Sequence, residues 1–320
     1  MRFRGRIEWE AIGGARSRAS RIVALLGALS AITFVGMLLA PGAAQSQSSK
    51  ASSFVPEDRL EKLDVSRFTR PTQITNKWLP MRPGTRFVYD GTTVEDEGKV
   101  VPHRLIINIT DLVKVIGGVR TLVSYDLDYS EGELDEAELA FYAQDDDGNV
   151  WLLGEYPEEY DGRKFVKAPA WIHGVQDARA GIAMKAEPKS GTPSYSQGYG
   201  PAVNWTDRGQ VLAAGQDVSV GATRYTDVLV IKETSTEEEA VDAAQVKYYA
   251  AGIGNIKVGW MGVGDKTREV LELTRVEQLD AQELATVRAK ALELEKSGYR
   301  RSKNVYGRTV PATVDEAAGK

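Results

Sequence analysis

The sequence predicts a mainly β protein, built as an antiparallel curved sheet, open barrel or sandwich with one C-terminal helix. Three observations predict it. Short runs rich in Val, Ile, Tyr and Thr recur between Gly, Asp and Asn turns. Several of these runs alternate apolar and polar residues with a period of two. A sustained helical pattern occurs once, near the C-terminus.

Residues 1–46 fall outside that pattern. Arg2, Arg4, Arg6, Arg16, Arg18 and Arg21 precede an uncharged apolar run, Ile22 to Ala40, and the small residues of "PGAAQS" follow it. This order is that of a secretory signal peptide, with cleavage expected near Ala44 or Ser46. The alternative is an uncleaved N-terminal anchor, since about 19 apolar residues are nearly enough to span a bilayer. Both readings place the folded part outside the cytoplasm, in the periplasm or secreted, and membrane contact is expected only if the segment is retained.

The polar, Ser-rich stretch 47–75 reads as a linker. The β domain is expected over 76–279. In "GGVRTLVSYDLDYSEGE", Val119, Thr121, Val123, Tyr125, Leu127 and Tyr129 share one face, while Arg120, Ser124, Asp126 and Asp128 share the other. "DEAELAFYAQ" returns after the SEGE turn, and "NVWLLGEY" continues the meander. "KAEPKSGTPSYSQGYGPAVNW" is expected to be a long loop or a pair of distorted edge strands. "DVLVIKET", "AQVKYYAAGIG", "NIKVGWMG" and "TREVLELTRVEQ" form a second strand set. Over 280–298 the stripe of Leu284, Val287, Ala291 and Leu294 marks the helix, with Asp280 as N-cap and Gly298 as stop. A flexible tail, 299–320, completes the chain.

Composition excludes several functions. Cysteine is absent, which removes thiolate metal sites, disulfides, a cysteine nucleophile and a lipid anchor on cysteine. His103 and His173 are the only histidines, so imidazole chemistry is confined to them. The formal net charge is −5, and becomes −9 without the six Arg and two Glu of residues 1–46. An acidic chain does not suit a phosphate backbone, so nucleic acid is not an expected partner. A small molecule, a polymer or another protein remains.

Several pieces together resemble a family of secreted bacterial β-rich proteins of unassigned function. They are "PGTRFVYDG", "AQDDDGNVWLLGE", "AGIAMKAEPKSGTPSYSQGY", "TRYTDVLVIKET" and "YYAAGIGNIKV", and they span Asn76 to Arg275 in the family's usual order. The resemblance implies an extracytoplasmic, mostly antiparallel β domain and supplies no catalytic residues.

Asp145, Asp147 and Asn149 have the 1-3-5 spacing of calcium ligands, but Val150 and Tyr156 stand where an EF-hand loop needs Gly and Glu. Asp147-Gly148 between two apolar runs is instead a hairpin signal. No cofactor is expected, beyond weak calcium binding at that loop, and Asp145→Asn is expected to do little. Asp126 and Asp128, with Glu136 and Glu138 opposite, form a carboxylate set of the type used in glycoside hydrolysis. The expected setting is nevertheless the solvated face of a half-covered sheet. His173, beside Trp171, is a further catalytic candidate, although no G-x-S-x-G, H-E-x-x-H or S-x-x-K box accompanies either histidine. The glycines of "AAGIGNIKVGWMGVGD" have strand-like residues on both sides and so do not make a dinucleotide site. Trp171, Tyr195, Tyr199 and Trp205 lie among Gly and Pro and suit a ligand-binding surface. The leading expectation is an extracytoplasmic binding or structural protein using a concave sheet face or this aromatic stretch. The alternative is a secreted hydrolase or lyase acting on a carbohydrate or other polymer through acidic residues.

Overall fold

The computed structural model describes residues 59–94, 98–235, 243–262 and 269–315. The signal or anchor segment, the first part of the linker and the last five residues of the tail lie outside the described residues. Fifteen strands occur in chain order: β1 (Thr85–Val94), β2 (Val100–Ile116), β3 (Val119–Ser130), β4 (Glu133–Gln144), β5 (Val150–Asp161), β6 (Lys164–Lys167), β7 (Trp171–Ile172), β8 (Arg179–Met184), β9 (Tyr195–Gly200), β10 (Trp205–Val220), β11 (Thr223–Ser235), β12 (Ala243–Ala250), β13 (Gly254–Gly262), β14 (Val270–Gln278) and β15 (Thr313–Val314).

Twelve of them close on themselves. Antiparallel pairing runs β1-β14-β13-β12-β11-β10-β9-β8-β5-β4-β3-β2, and β2 then pairs with β1. The fold is therefore an antiparallel barrel carrying one C-terminal helix. Closure removes the exposed edges that an open sheet must protect. The stretch expected as a loop or edge pair, Lys185–Trp205, contributes β9 to the barrel wall, between β8 and β10.

The β3 face of Val123 and Tyr125 points outward, together with Leu139 and Phe141 of β4. It is buried by the helix Ala281–Arg301, whose Val287, Ala291 and Leu294 pack against it. Asp280 caps this helix in a reciprocal box with Glu283. Gly298 does not stop the helix, which runs on to Arg301. Its role is close approach: a Cβ there would lie 2.7 Å from the Tyr306 ring. Lys114 of β2, fully buried, donates to Glu295 Oε1 at 2.7 Å, Val310 O at 2.6 Å and Tyr299 Oη at 3.1 Å. All three of its donors are satisfied, so the burial of this charge is compensated.

The expected linker and tail are ordered wherever they are described. Ile74 of the linker, with Trp78 and Met81 just after it, enters the apolar cluster inside the barrel. Asn76 holds them there, accepting from the backbone N–H groups of Trp78 and Leu79 and donating to the carbonyls of Gly148 and Lys185. Beyond the helix, Tyr306 is buried against Tyr156, and β15 adds to β2. These segments pack because each supplies large apolar side chains that cover a barrel end or the helix seam. Tyr306→Ala should therefore destabilise the protein by about 3–5 kcal/mol, as truncating a buried aromatic generally does. Urea unfolding against the parent checks this.

Candidate functional site: an acidic barrel end

Strand register decides which residues share the interior. Asp126 stands opposite Ile107 of β2 and Glu138 of β4, and Asp128 opposite Leu105 and Glu136. Glu136 then faces Glu159 of β5, and Ala140 faces Glu155. Since directly paired residues point to the same side, these carboxylates line three adjacent strands inside the barrel. Asp126, Asp128, Glu136, Glu138 and Glu155 are each 95% or more buried. The expectation of a solvated face is thus corrected. The polar side of β3 looks inward because the sheet closes, and the apolar side looks outward because the helix covers it.

The opposite wall supplies little neutralising charge. Lys247 pairs with Glu233, whose other oxygen accepts from Gln197 Nε2 at 2.8 Å. His103 Nε2 lies 3.3 Å from Asp128 Oδ1 and 3.5 Å from Glu269 Oε1, and its Nδ1 is 3.3 Å from Ser130 Oγ. His103 also lines a groove of about 440 Å³ with Pro102, Arg104, Tyr129 and Gly132. The acidic end is the end where β2 starts and β3 stops. The plugged apolar end carries the β4–β5 turn.

Desolvation pushes the carboxyl of Asp126 up to about 7, against a 2.5 Å hydrogen bond from Ser124 Oγ that lowers it. Burial likewise raises Glu155 to about 7, opposed by the Trp171 hydrogen bond and by Lys247. Glu136 and Glu138 are held well above the usual carboxylate range by burial, reinforced by each other's neighbours Glu159 and Glu155. Burial pulls His103 down, but Asp128 and Glu269 outweigh it and hold the imidazole at about 11.

Ser130, His103 and Asp128 follow the order of a hydrolytic triad, yet an imidazole clamped by two carboxylates stays protonated at neutral pH and cannot take a serine proton. His173 stands apart, beside the Gly117 turn between β2 and β3. Its Nδ1 accepts from Ala180 N–H at 3.0 Å, while burial and Arg179 keep it below its usual value. The structure does not bring it to Asp126 or Asp128.

The aromatic candidates are not a surface loop. Trp171 and Trp205 are buried and stack, with centroids 4.5 Å apart. Gly198 permits this, because a Cβ there would come within 2.5 Å of the Trp205 ring. Trp171 Nε1 donates to Glu155 Oε2 at 2.7 Å, which joins the pair to the acidic wall. Tyr195 is buried over Gly209, and Tyr199 is half-buried.

The loop 145–149 is a turn whose oxygens are already engaged. Asp145 accepts from the N–H groups of Asp147 and Asn149, from Asn149 Nδ2 and from Trp151 Nε1. Asp147 pairs with Arg67, and Asn149 Oδ1 accepts from Ala186 N–H at 2.9 Å. These donors occupy the positions a cation would need, and no group of three metal-ligating side chains converges among the described residues. The same four hydrogen bonds argue against the expectation that Asp145→Asn does little.

Glu155, Glu159, Tyr142, Glu233, Lys247 and Glu269 escape a strand-by-strand reading. The available signal was the recurrence of acids two or four residues apart on three successive strands. Tyr142 Oη, Trp205 Nε1, Glu136 Oε2, Glu138 Oε1 and Glu155 Oε1 are buried without a hydrogen-bond partner among the described residues.

No protein-family model and no curated protein matches the chain. Two solved structures are similar to it in part. A protein assigned as exported, with a YmcC-like fold, from Bacteroides fragilis shares 12% identity at a TM-score of 0.37, covering 63% of this chain and 99% of its own. A protein assigned as a lipoprotein, from Parabacteroides distasonis, shares 8% identity at a TM-score of 0.35, with the same coverage. Among the described residues no helix is long and apolar enough to cross a membrane.

Two outcomes follow for stability. Gly148, at φ +92°, should resist replacement: Gly148→Val is expected to cost about 1–2 kcal/mol, and Asp145→Asn about 1–3 kcal/mol through donors left facing an amide, both read from thermal melts. The raised carboxyls and His103 bind more protons in the folded than in the unfolded chain. The melting temperature should therefore fall as pH rises from about 4, where the unfolded carboxyls ionise, through about 7, where Asp126 and Glu155 ionise in the fold, and Glu138→Gln should flatten that slope.

Proposed function

We propose that this protein is an extracytoplasmic binding protein that takes a small polar ligand into the acidic end of its barrel. The observation that carries the reading is the set of inward-facing, buried polar atoms without partners, on Tyr142, Trp205, Glu136, Glu138 and Glu155. Leaving each such group bare costs about 1–3 kcal/mol, and most buried polar groups in folded proteins are partnered by protein or water. Four of the five, on Tyr142, Glu136, Glu138 and Glu155, lie on the adjacent strands β4 and β5, which fits a site that a guest completes. Eight strands enclose an interior just filled by side chains, whereas sixteen leave a channel. Twelve strands with one end plugged match a pocket between those limits. The basic-apolar-small order of residues 1–46 supports a location outside the cytoplasm.

A second reading has one observation in its favour. Asp126 and Glu155, raised to about 7, are suited to general acid catalysis at neutral pH, which supports a hydrolase or lyase acting through this wall. Native mass spectrometry of protein purified from its own host separates the two. Binding predicts an unmodified small molecule retained at unit stoichiometry and released on unfolding. Turnover of a polymer fragment library by the parent, abolished in Asp126→Asn, would replace it with the enzyme reading.

A further inference from the structure

Resting on the binding reading, the geometry points to a ligand class: we propose that the barrel's acidic end binds an organic ammonium ion, held by Glu138 and Glu155 and flanked by the Trp171–Trp205 pair. The first argument is donor bookkeeping. Glu136, Glu138 and Glu155 each keep one buried oxygen that no described residue donates to, while the unpartnered donors nearby are Tyr142 Oη–H and Trp205 Nε1–H. Once these carboxyls ionise, as a cation beside them favours, the wall has more acceptors than donors. A neutral polyol brings acceptor lone pairs along with every donor and leaves that imbalance in place. An ammonium group brings donors only, with a positive charge.

The second argument is charge. The two cations of the described interior are already committed, Lys247 to Glu233 and His103 between Asp128 and Glu269. Across the β4–β5 pairs Glu159 is paired with Lys167 at 3.2 Å, whereas Glu136, Glu138 and Glu155 make no ion pair among the described residues. A guest cation lowers their mutual repulsion in a low-dielectric space, where the attraction is strong. The third argument is the aromatic floor. Trp171 is fixed edge-on by Glu155 and stacked on Trp205. An indole face beside a carboxylate is a favourable setting for alkylammonium groups. Tyr142, fully buried on β4 with an unpartnered hydroxyl, feels Asp126, Glu155 and Glu138 and marks the same spot independently. An inorganic cation fits less well, because no three ligating side chains converge among the described residues.

The test uses the mature protein and isothermal titration with putrescine, with 1,4-butanediol as its neutral counterpart of the same length, and with calcium chloride. Putrescine should bind at one site and quench tryptophan fluorescence, and butanediol should show at least about tenfold weaker binding, the equivalent of one lost charge-assisted contact. Glu138→Gln and Glu155→Gln should each weaken putrescine by about tenfold or more, whereas Glu187→Gln, on an exposed pair with Lys189, should not. The direct comparison of diamine with diol on the parent protein does not depend on any variant folding. Equal binding of diamine and diol, tighter binding of calcium, or putrescine binding indifferent to Glu138 and Glu155 would overturn the ammonium assignment. A neutral guest found by mass spectrometry in protein that ignores putrescine would overturn it while leaving the binding reading standing. Neither a retained guest nor any titration would overturn both.

Discussion

Closure of the sheet is the constraint on which everything else in this molecule depends. β1 pairs with β14 on one side and β2 on the other, and those two sets of hydrogen bonds turn a meander into a ring. In an open antiparallel sheet the polar face of β3 would meet water. In the ring it meets the interior. Asp126, Asp128, Glu136, Glu138 and Glu155 are thereby desolvated together, and the apolar face of the same strands is left on the outside. The C-terminal helix answers that exposure, clamped by the buried Lys114 and by Arg288 on Asp111 and Arg301 on Glu158. The N-terminal segment around Trp78 answers the other, by filling one barrel end.

The two ends then differ in kind. At the plugged end the interior is a conventional apolar core of Ile109, Leu122, Leu152 and Ile256 around Tyr249. At the other end, acids outnumber bases, and burial, reinforced by neighbouring acids, raises the carboxyls of Glu136 and Glu138. A cluster of that kind costs stability and adds nothing to packing. Local rules broken without structural gain are expected where a protein interacts with something else. The Trp171–Trp205 stack lies at the boundary between the two ends, tied by Glu155 to the acidic side and packed on the apolar one.

Much of this was legible in the sequence, for identifiable reasons. The period of two in β3 and β4, the Asp147-Gly148 turn and the Asp280 cap are local signals, and the structure follows them. The acid pairs Asp126/Asp128 and Glu136/Glu138 were visible as a set. Their burial was not, because alternation reports which residues share a face and not which face is wet. Closure is a long-range event between β1 and β14, separated by the whole domain, and no local pattern encodes it. For the same reason the approach of Lys247 and Glu269 to the interior is not legible strand by strand. The packing of the tail is not legible locally, because Tyr306 and β15 are short features within polar sequence, and their partners, Gly298 and β2, are remote or read differently on their own. The aromatic residues among Gly and Pro looked like a binding loop. Those glycines instead let strands and indoles approach closely.

The central claim is that a wall of carboxylates lies desolvated inside the barrel, and side-chain carboxyl carbon-13 NMR followed through a pH titration tests it most directly. The account predicts that Asp126 and Glu155 titrate near pH 7 and that Glu136 and Glu138 titrate well above the ordinary range, with exposed acids such as Asp64 and Asp146 below it. If every Asp and Glu of the folded protein titrates at its ordinary solvent-exposed value, the carboxylate wall faces water and the account is wrong.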